Sequence, residues 1–220
     1  MTAIIYPLII VIFQVGATLL NGASLLSLNV FVSLFGALYV SRLVFKKRDA
    51  FFFALFFNAG MLISGLAGGV FSEILQQPMF FLVNLTGLVE VLNSGRLGKL
   101  NAFFRKLGSN SPKNVLIISS LLMVGWSALS YSLGSPVPIH DGILGGLALS
   151  AQVFSIAEHK YSWYGWMALN LFSSWTWFLV GNGPLCFMYL VFFGNALFGL
   201  YYWSKKEVSF QSGQSAKSAE

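Results

Sequence analysis

The chain has 220 residues, of which 56% are hydrophobic and only 9% charged, and its net charge is +6. An ordinary soluble domain carries roughly 25% charged residues, so this composition excludes a soluble enzyme, a disordered chain and a disulfide-stapled secreted domain; the single cysteine, Cys186, excludes an intrachain disulfide and a thiolate metal cluster. At ~20 apolar residues per crossing, eight membrane helices would use about 160 residues and leave about 60 for short connections and tails.

Eight apolar stretches can be marked in chain order: 4–20, 25–41, 50–71, 79–92, 115–133, 141–156, 163–180 and 184–203. Asn21-Gly22, Gln77-Pro78, the stretches 95–113 and 134–138, and Gly181-Asn182-Gly183 separate them, and such residues punctuate helices. The first stretch lacks a basic segment before its apolar run and reads as a retained helix rather than a signal peptide. The fourth is short and carries Glu90 near its end. The expected fold is an all-α membrane protein with eight transmembrane helices. Residues 1–22 form an extra N-terminal helix, 23–95 a first three-helix unit, 96–138 a basic loop and linker helix, 139–204 a second three-helix unit, and 205–220 a polar, disordered cytoplasmic tail.

The thirteen Lys and Arg residues fall on one side of this layout. Arg42, Lys46, Lys47 and Arg48 follow the second stretch; Arg96, Lys99, Arg105, Lys106 and Lys113 follow the fourth; Lys160 follows the sixth; Lys205, Lys206 and Lys217 follow the eighth. The opposite loops offer Glu73, His140 and Asp141. The positive-inside rule then places both termini in the cytoplasm. Topology thus accounts for the positive charge, and nucleic acid is not a partner.

An offset of 112 residues brings two parts of the chain into register. Arg48 falls on Lys160, Asn58 on Asn170 and Gly87 on Gly199. Helices two to four then form one unit and helices six to eight a second, joined by helix five. Parallel repeats with a site at their midplane interface are a transporter architecture. Gly65, Gly68, Gly69, Gly145 and Gly146 would let the two units slide closely.

Helix seven carries the densest chemistry. Trp166, Asn170, Ser173 and Trp177 are spaced for one helical face, and Trp163 extends it. An Asn in hydrocarbon needs a partner. Flanking indoles offer flat faces, one N–H donor each and cation–π attraction. Together they can sandwich a flat ring that carries amide or hydroxyl groups. The plain alternatives are an interfacial aromatic belt, which Trp163 and Trp175 fit as well, and Asn as a link between helices. Asn58, Gln77, Asn84, Gln152, Asn195 and Tyr189 can supply the opposite walls. No Lys or Arg lies within a span, so a phosphorylated substrate does not fit. Glu90 can either counter a cation or pair with Arg96. His140 and His159 fall on opposite faces, and no protease, hydrolase or nucleotide-binding motif is present, so neither a metal site nor a catalytic residue is expected.

Trp163-x-x-Trp166-x-x-x-Asn170, followed by FMYLVFFGNALFGLYYW and a basic tail, resembles the PnuC family of vitamin transporters. AQVFSIAEHK looks like the end of that family's sixth core helix, and SEILQQPMFFLVNLTGLVEVLNS is similar to its helix with a Gln-rich start and a later Gly. The resemblance covers residues 25–205. It implies a three-plus-one-plus-three, SWEET-like core in the bacterial inner membrane. It implies facilitated diffusion of an unphosphorylated vitamin-type molecule, nicotinamide riboside first and thiamine second, with riboflavin or a deoxynucleoside as further candidates. Trapping by a cytoplasmic kinase, a homotrimer and no cofactor are also implied. Trp166 and Asn170 carry over as substrate contacts, with Trp163 beside them; Gln77, Asn84, Gln152 and Asn195 are assigned by position. The chain departs from the pattern in having Phe51 and Ala54 where the second half has Trp163 and Trp166, in an additional first helix, and in Gln77-Pro78 where related exporters carry Pro-Gln. Rival readings are a membrane assembly subunit without a substrate, an intramembrane enzyme and a sugar carrier.

Overall fold

The computed structural model describes residues 2–94, 102–103, 112–157 and 159–217. Among these residues are eight long helices and no strand: α1 (Thr2–Leu20), α2 (Leu28–Val44), α3 (Ala50–Gly68), α4 (Phe71–Ser94), α5 (Pro112–Ser132), α6 (Pro138–Ile156), α7 (Ser162–Leu179) and α8 (Gly183–Lys217). Arg96, Lys99, Arg105 and Lys106 of the expected basic loop lie outside the described residues.

Local chemistry sets the helix ends. The Ser27 hydroxyl accepts from the Val30 amide at 3.4 Å and caps α2. Gly69 takes φ +65° after α3, a conformation that favours glycine, and the Val70 amide donates to the Gly65 carbonyl at 2.9 Å. Pro138 opens α6, where its missing N–H costs nothing. The Asn182 side-chain oxygen accepts from the Leu185 amide at 3.1 Å and starts α8.

The helices are apolar outside and polar inside. On α3, Ala54, Asn58 and Met61 are buried, whereas Phe52, Phe56, Ile63 and Leu66 are exposed. On α5, Leu116, Leu121 and Val124 are exposed. Glu73, Gln76, Gln77, Asn84, Gln152, Asn170 and Asn195 are all buried. That distribution suits hydrocarbon around the bundle and polar groups sheltered within it. By length and composition α3, α4, α5, α6 and α8 can each cross a membrane, and the apolar parts of α1 (Ile4–Leu20) and α2 are shorter.

Helices α2, α3 and α4 pack in succession, as do α6, α7 and α8. The two sets meet where α2 touches α8 and α4 touches α6; α5 lies along α6, and α1 against α2 and α8. Two close approaches occupy corresponding places 112 residues apart. A Cβ on Gly87 would come within 2.7 Å of the Phe51 ring, and one on Gly199 within 2.6 Å of the Trp163 ring. In each set a glycine on the third helix makes room for a ring at the start of the second.

Three expectations are corrected. Gln77-Pro78 is not a break: α4 begins at Phe71 and runs through Pro78. The proline removes one backbone donor, but the chain has already turned at Gly69 and the helix is under way seven residues before it. The segment expected as a disordered tail is helical to Lys217. Of the five glycines expected to slide between the units, only Gly68 meets the other unit, where a Cβ would lie 2.9 Å from the Trp177 ring of α7. Gly145 and Gly146 press against Trp126 and Met123 of α5, and Gly69 belongs to a turn.

Candidate functional site

Between the two helix sets lies a hollow of about 610 Å³, its open side included. Helix α7 contributes one wall. Trp163, Trp166 and Asn170 line it, and their spacing puts them on the inward stripe of the helix. The Trp166 indole N–H donates to Ser155 Oγ at 2.7 Å, which fixes its ring plane, and the ring centre lies 6.5 Å from that of Phe80. Trp163 is buried and meets Trp203 edge-on with centres 5.2 Å apart.

The remaining walls come from other helices. Asn58 lines the hollow from α3, Gln77 and Asn84 from α4, Gln152 from α6, and Tyr189 and Asn195 from α8. Gln152 accepts from the Tyr39 hydroxyl at 3.1 Å and donates to Asn84 Oδ1 at 3.3 Å, so one amide ties α2, α6 and α4. Asn195 is occupied at both ends: its oxygen accepts from the Tyr6 hydroxyl at 2.9 Å and its nitrogen donates to the Val40 carbonyl at 3.2 Å. Its position among the lining residues therefore comes with a clear role in packing α1 and α2 onto α8.

Ser173 and Trp177 do not line this hollow, although they share the face of Trp166. They lie one and two turns further along α7. Trp177 packs with Val70, Leu185, Met188 and Tyr189, and it lines a separate, wider hollow together with Gly68, Asn182 and Asn21. Trp175, more than half exposed, faces away from the bundle. Glu90 is half-buried and is not at the cavity.

Three residues at the site were not among those expected there. Tyr39 and Gln76 line the hollow, and Glu73 stands immediately behind it. Glu73, expected in an outward loop, is in the first turn of α4 and is 1% exposed. Its Oε2 accepts from the Gln76 amide at 2.7 Å and the Gln77 amide at 2.6 Å; its Oε1 accepts from the Tyr189 hydroxyl at 2.7 Å. The carboxylate thereby joins α4 to α8. The sequence signal was present: an acid followed at three and four residues by two glutamines places all three on one helix face.

The cavity wall holds no Lys, Arg or His among the described residues. The nearby cations line an adjoining hollow of about 540 Å³ instead, where Lys46, Lys47 and Arg48 gather at the far side of Tyr39 and Gln152. Those last two residues belong to both hollows. At the opposite end, Tyr189 lines the cavity and Trp177 lines the third hollow, and the two side chains share one core cluster between these spaces. The central space thus has ring faces, amides and hydroxyls for binding, and a basic compartment on one side only. Among the described residues no three His, Cys, Asp or Glu side chains converge as a metal site would need.

Comparison with known proteins adds three findings. The sequence model of a family described as nicotinamide mononucleotide transporter matches residues 26–205. The chain is 30% identical over 104 residues to the nicotinamide riboside transporter PnuC of Neisseria mucosa, covering 44% of this chain and 38% of that protein. It is also 30% identical over 91 residues to the nicotinamide riboside transporter PnuC of Haemophilus influenzae, covering 41% and 38%. These matches span less than two-fifths of either relative. In fold, a crystal structure of the vitamin B3 transporter PnuC superposes with a TM-score of 0.73 at 20% identity, over 92% of this chain and 90% of the other.

Proposed function

The chain belongs to the nicotinamide mononucleotide transporter family, that of PnuC, and on that premise we propose that it carries an unphosphorylated vitamin, nicotinamide riboside, into the cell by facilitated diffusion. The observation that carries this reading is the cavity wall: ring faces and neutral amides with no cation among the described residues. A phosphate monoester there would be a desolvated dianion with nothing to pair it. The pyridinium ring of nicotinamide riboside is a flat cation, and its carboxamide and ribose hydroxyls need hydrogen-bond partners. The Trp166 face answers the first requirement by stacking and cation–π attraction, and Asn170, Asn58, Gln77 and Asn84 answer the second.

The same argument makes trapping by phosphorylation effective. A kinase in the cytoplasm converts the carried molecule into one that the cavity does not accept, and diffusion becomes net uptake. Orientation follows from charge: Arg42, Lys46, Lys47, Arg48 and Lys160 lie at one end of the bundle, which the positive-inside rule assigns to the cytoplasm, and both termini go with it. The protein then sits in the inner membrane with the Lys46–Arg48 hollow as its inner mouth. The paired glycine–ring contacts and the crossed packing of α2 on α8 and α4 on α6 support two parallel three-helix units joined by α5, with α1 added outside. Transport is rocking of these units about the cavity, and three protomers form the assembly.

The test is equilibrium binding to purified protein with nicotinamide riboside, nicotinamide mononucleotide and thiamine. Saturable binding of the riboside, absent for the mononucleotide and lost in Trp166→Ala, is the expected result. Equal or tighter binding of the mononucleotide overturns the reading. Preferential binding of thiamine, the other flat cation of this chemistry, keeps the cavity and changes its cargo.

A further inference from the structure

Glu73 accepts three hydrogen bonds and lies outside the ligand's reach, behind the side chains that bind to it. An amide side chain by itself can present either its NH2 or its oxygen. The placement of Glu73 removes that choice, because its Oε2 takes the nitrogens of both glutamines and its Oε1 takes the Tyr189 hydroxyl. With both Gln76 and Gln77 donating to Oε2, each must turn its carbonyl oxygen the other way. Those two oxygens are buried and have no hydrogen-bond partner among the described residues. Gln76 and Gln77 are 2% and 3% exposed, and both line the cavity. Asn58 Nδ2 and Trp163 Nε1, on cavity-lining residues of α3 and α7, are buried donors in the same condition. Unpaired buried acceptors and donors are costly unless something else completes them. The residues of the wall thus include a pair of unpaired acceptors on one helix and separate unpaired donors on two others.

Resting on the cavity being the vitamin site, we infer that Glu73 is a positioning residue that determines specificity: it fixes the Gln76 and Gln77 amides with their oxygens as acceptors, so that the cavity selects ligands bearing N–H donors. A carboxamide fits such a wall, since its NH2 meets acceptors and its oxygen meets donors. An otherwise identical ligand that keeps the ring charge and the carbonyl oxygen but lacks the N–H group leaves the two acceptors unpaired.

The experiment compares nicotinamide riboside with 3-acetylpyridine riboside, which has the same cationic ring and carbonyl with methyl in place of NH2. Binding of both is measured by calorimetry on the purified full chain, its Glu73→Gln and Glu73→Asp variants, with melting temperature recorded for each. The intact chain should prefer the riboside bearing the amide by about tenfold or more. In Glu73→Gln the three amides can pair in several ways, and the preference should fall towards unity; in Glu73→Asp, which keeps the carboxyl group, most of it should remain. A merely structural role would weaken both ligands equally and leave the ratio unchanged, which overturns the inference. If Glu73→Gln does not fold, Gln77→Leu removes one oriented acceptor without touching the carboxylate. Its ratio should also fall, and an unchanged ratio again overturns the inference. If the chain binds thiamine and not the nicotinamide compounds, the substrate assignment fails while this inference is read from thiamine against oxythiamine, in which a carbonyl replaces the amino donor. Binding of none of these ligands overturns both.

Discussion

The two three-helix sets use one scaffold for different chemistry. With the 112-residue offset, Asn58 of α3 and Asn170 of α7 correspond, and both line the cavity. Around them the sets diverge. The second set places Trp163 and Trp166 where the first has Phe51 and Ala54; the first places Glu73, Gln76 and Gln77 where the second has Leu185, Met188 and Tyr189. One set supplies ring faces, the other a fixed array of hydrogen-bonding groups. The divergence teaches that two helix sets can face one cavity with unlike chemistry. A ligand held between unlike walls can be read for aromatic shape by one and for polar pattern by the other. The sets are joined where this difference is greatest, through the bond from Tyr189 to Glu73.

The strongest way to break the comparison is to delete the ring wall. Trp166→Ala should weaken nicotinamide riboside by about 100-fold, the upper range for one aromatic stacking contact, with little loss of melting temperature because the residue is only half-buried. Titration calorimetry checks this. The two glycine–ring contacts give a matched pair of substitutions. Gly199→Ala and Gly87→Ala each force a ring aside and should each cost ~1–3 kcal/mol in stability. Only Gly199→Ala should also reduce affinity, since Trp163 lines the cavity and Phe51 lines the adjoining basic hollow. Thermal unfolding and binding on the same samples separate the two effects. A smaller effect is predicted for Tyr39→Phe, which breaks the bond to Gln152. Loss of about 1 kcal/mol from one hydrogen bond should change the uptake rate in proteoliposomes by about fivefold. Trp175→Leu should shift affinity by less than about twofold, because this indole stacks on Phe178 at the outer surface.

The sequence made some of this legible for physical reasons. Helix ends at Gly181 and Asn182 were readable because turn residues act locally. The inward stripe of Trp166 and Asn170 was readable because a polar group amid apolar residues has few places to go. The matching of Asn58 with Asn170 foretold two walls of one cavity. Glu73 was misplaced because an acid two residues after an apolar turn looks like loop; its burial depends on Tyr189, 116 residues away. Pro78 was read as a boundary because propensity is local, whereas the turn lies at Gly69 and α4 starts at Phe71. Tyr39 gave no warning, since its partner is 113 residues distant on another helix. Ser173 and Trp177 were assigned to the cavity by helical periodicity, which gives the face of a helix but not the depth at which a hollow ends.

Pro78 has a mechanical consequence. With no N–H to offer, it leaves the Ile74 carbonyl without its rung in the α4 ladder. The missing rung, from Ile74 to Pro78, overlaps the turn in which Glu73 is tied to α8, and Asn84, tied to α6, lies beyond it. A rod weakened at that point can pivot there, so that the grip on one end of a passenger loosens before the grip on the other.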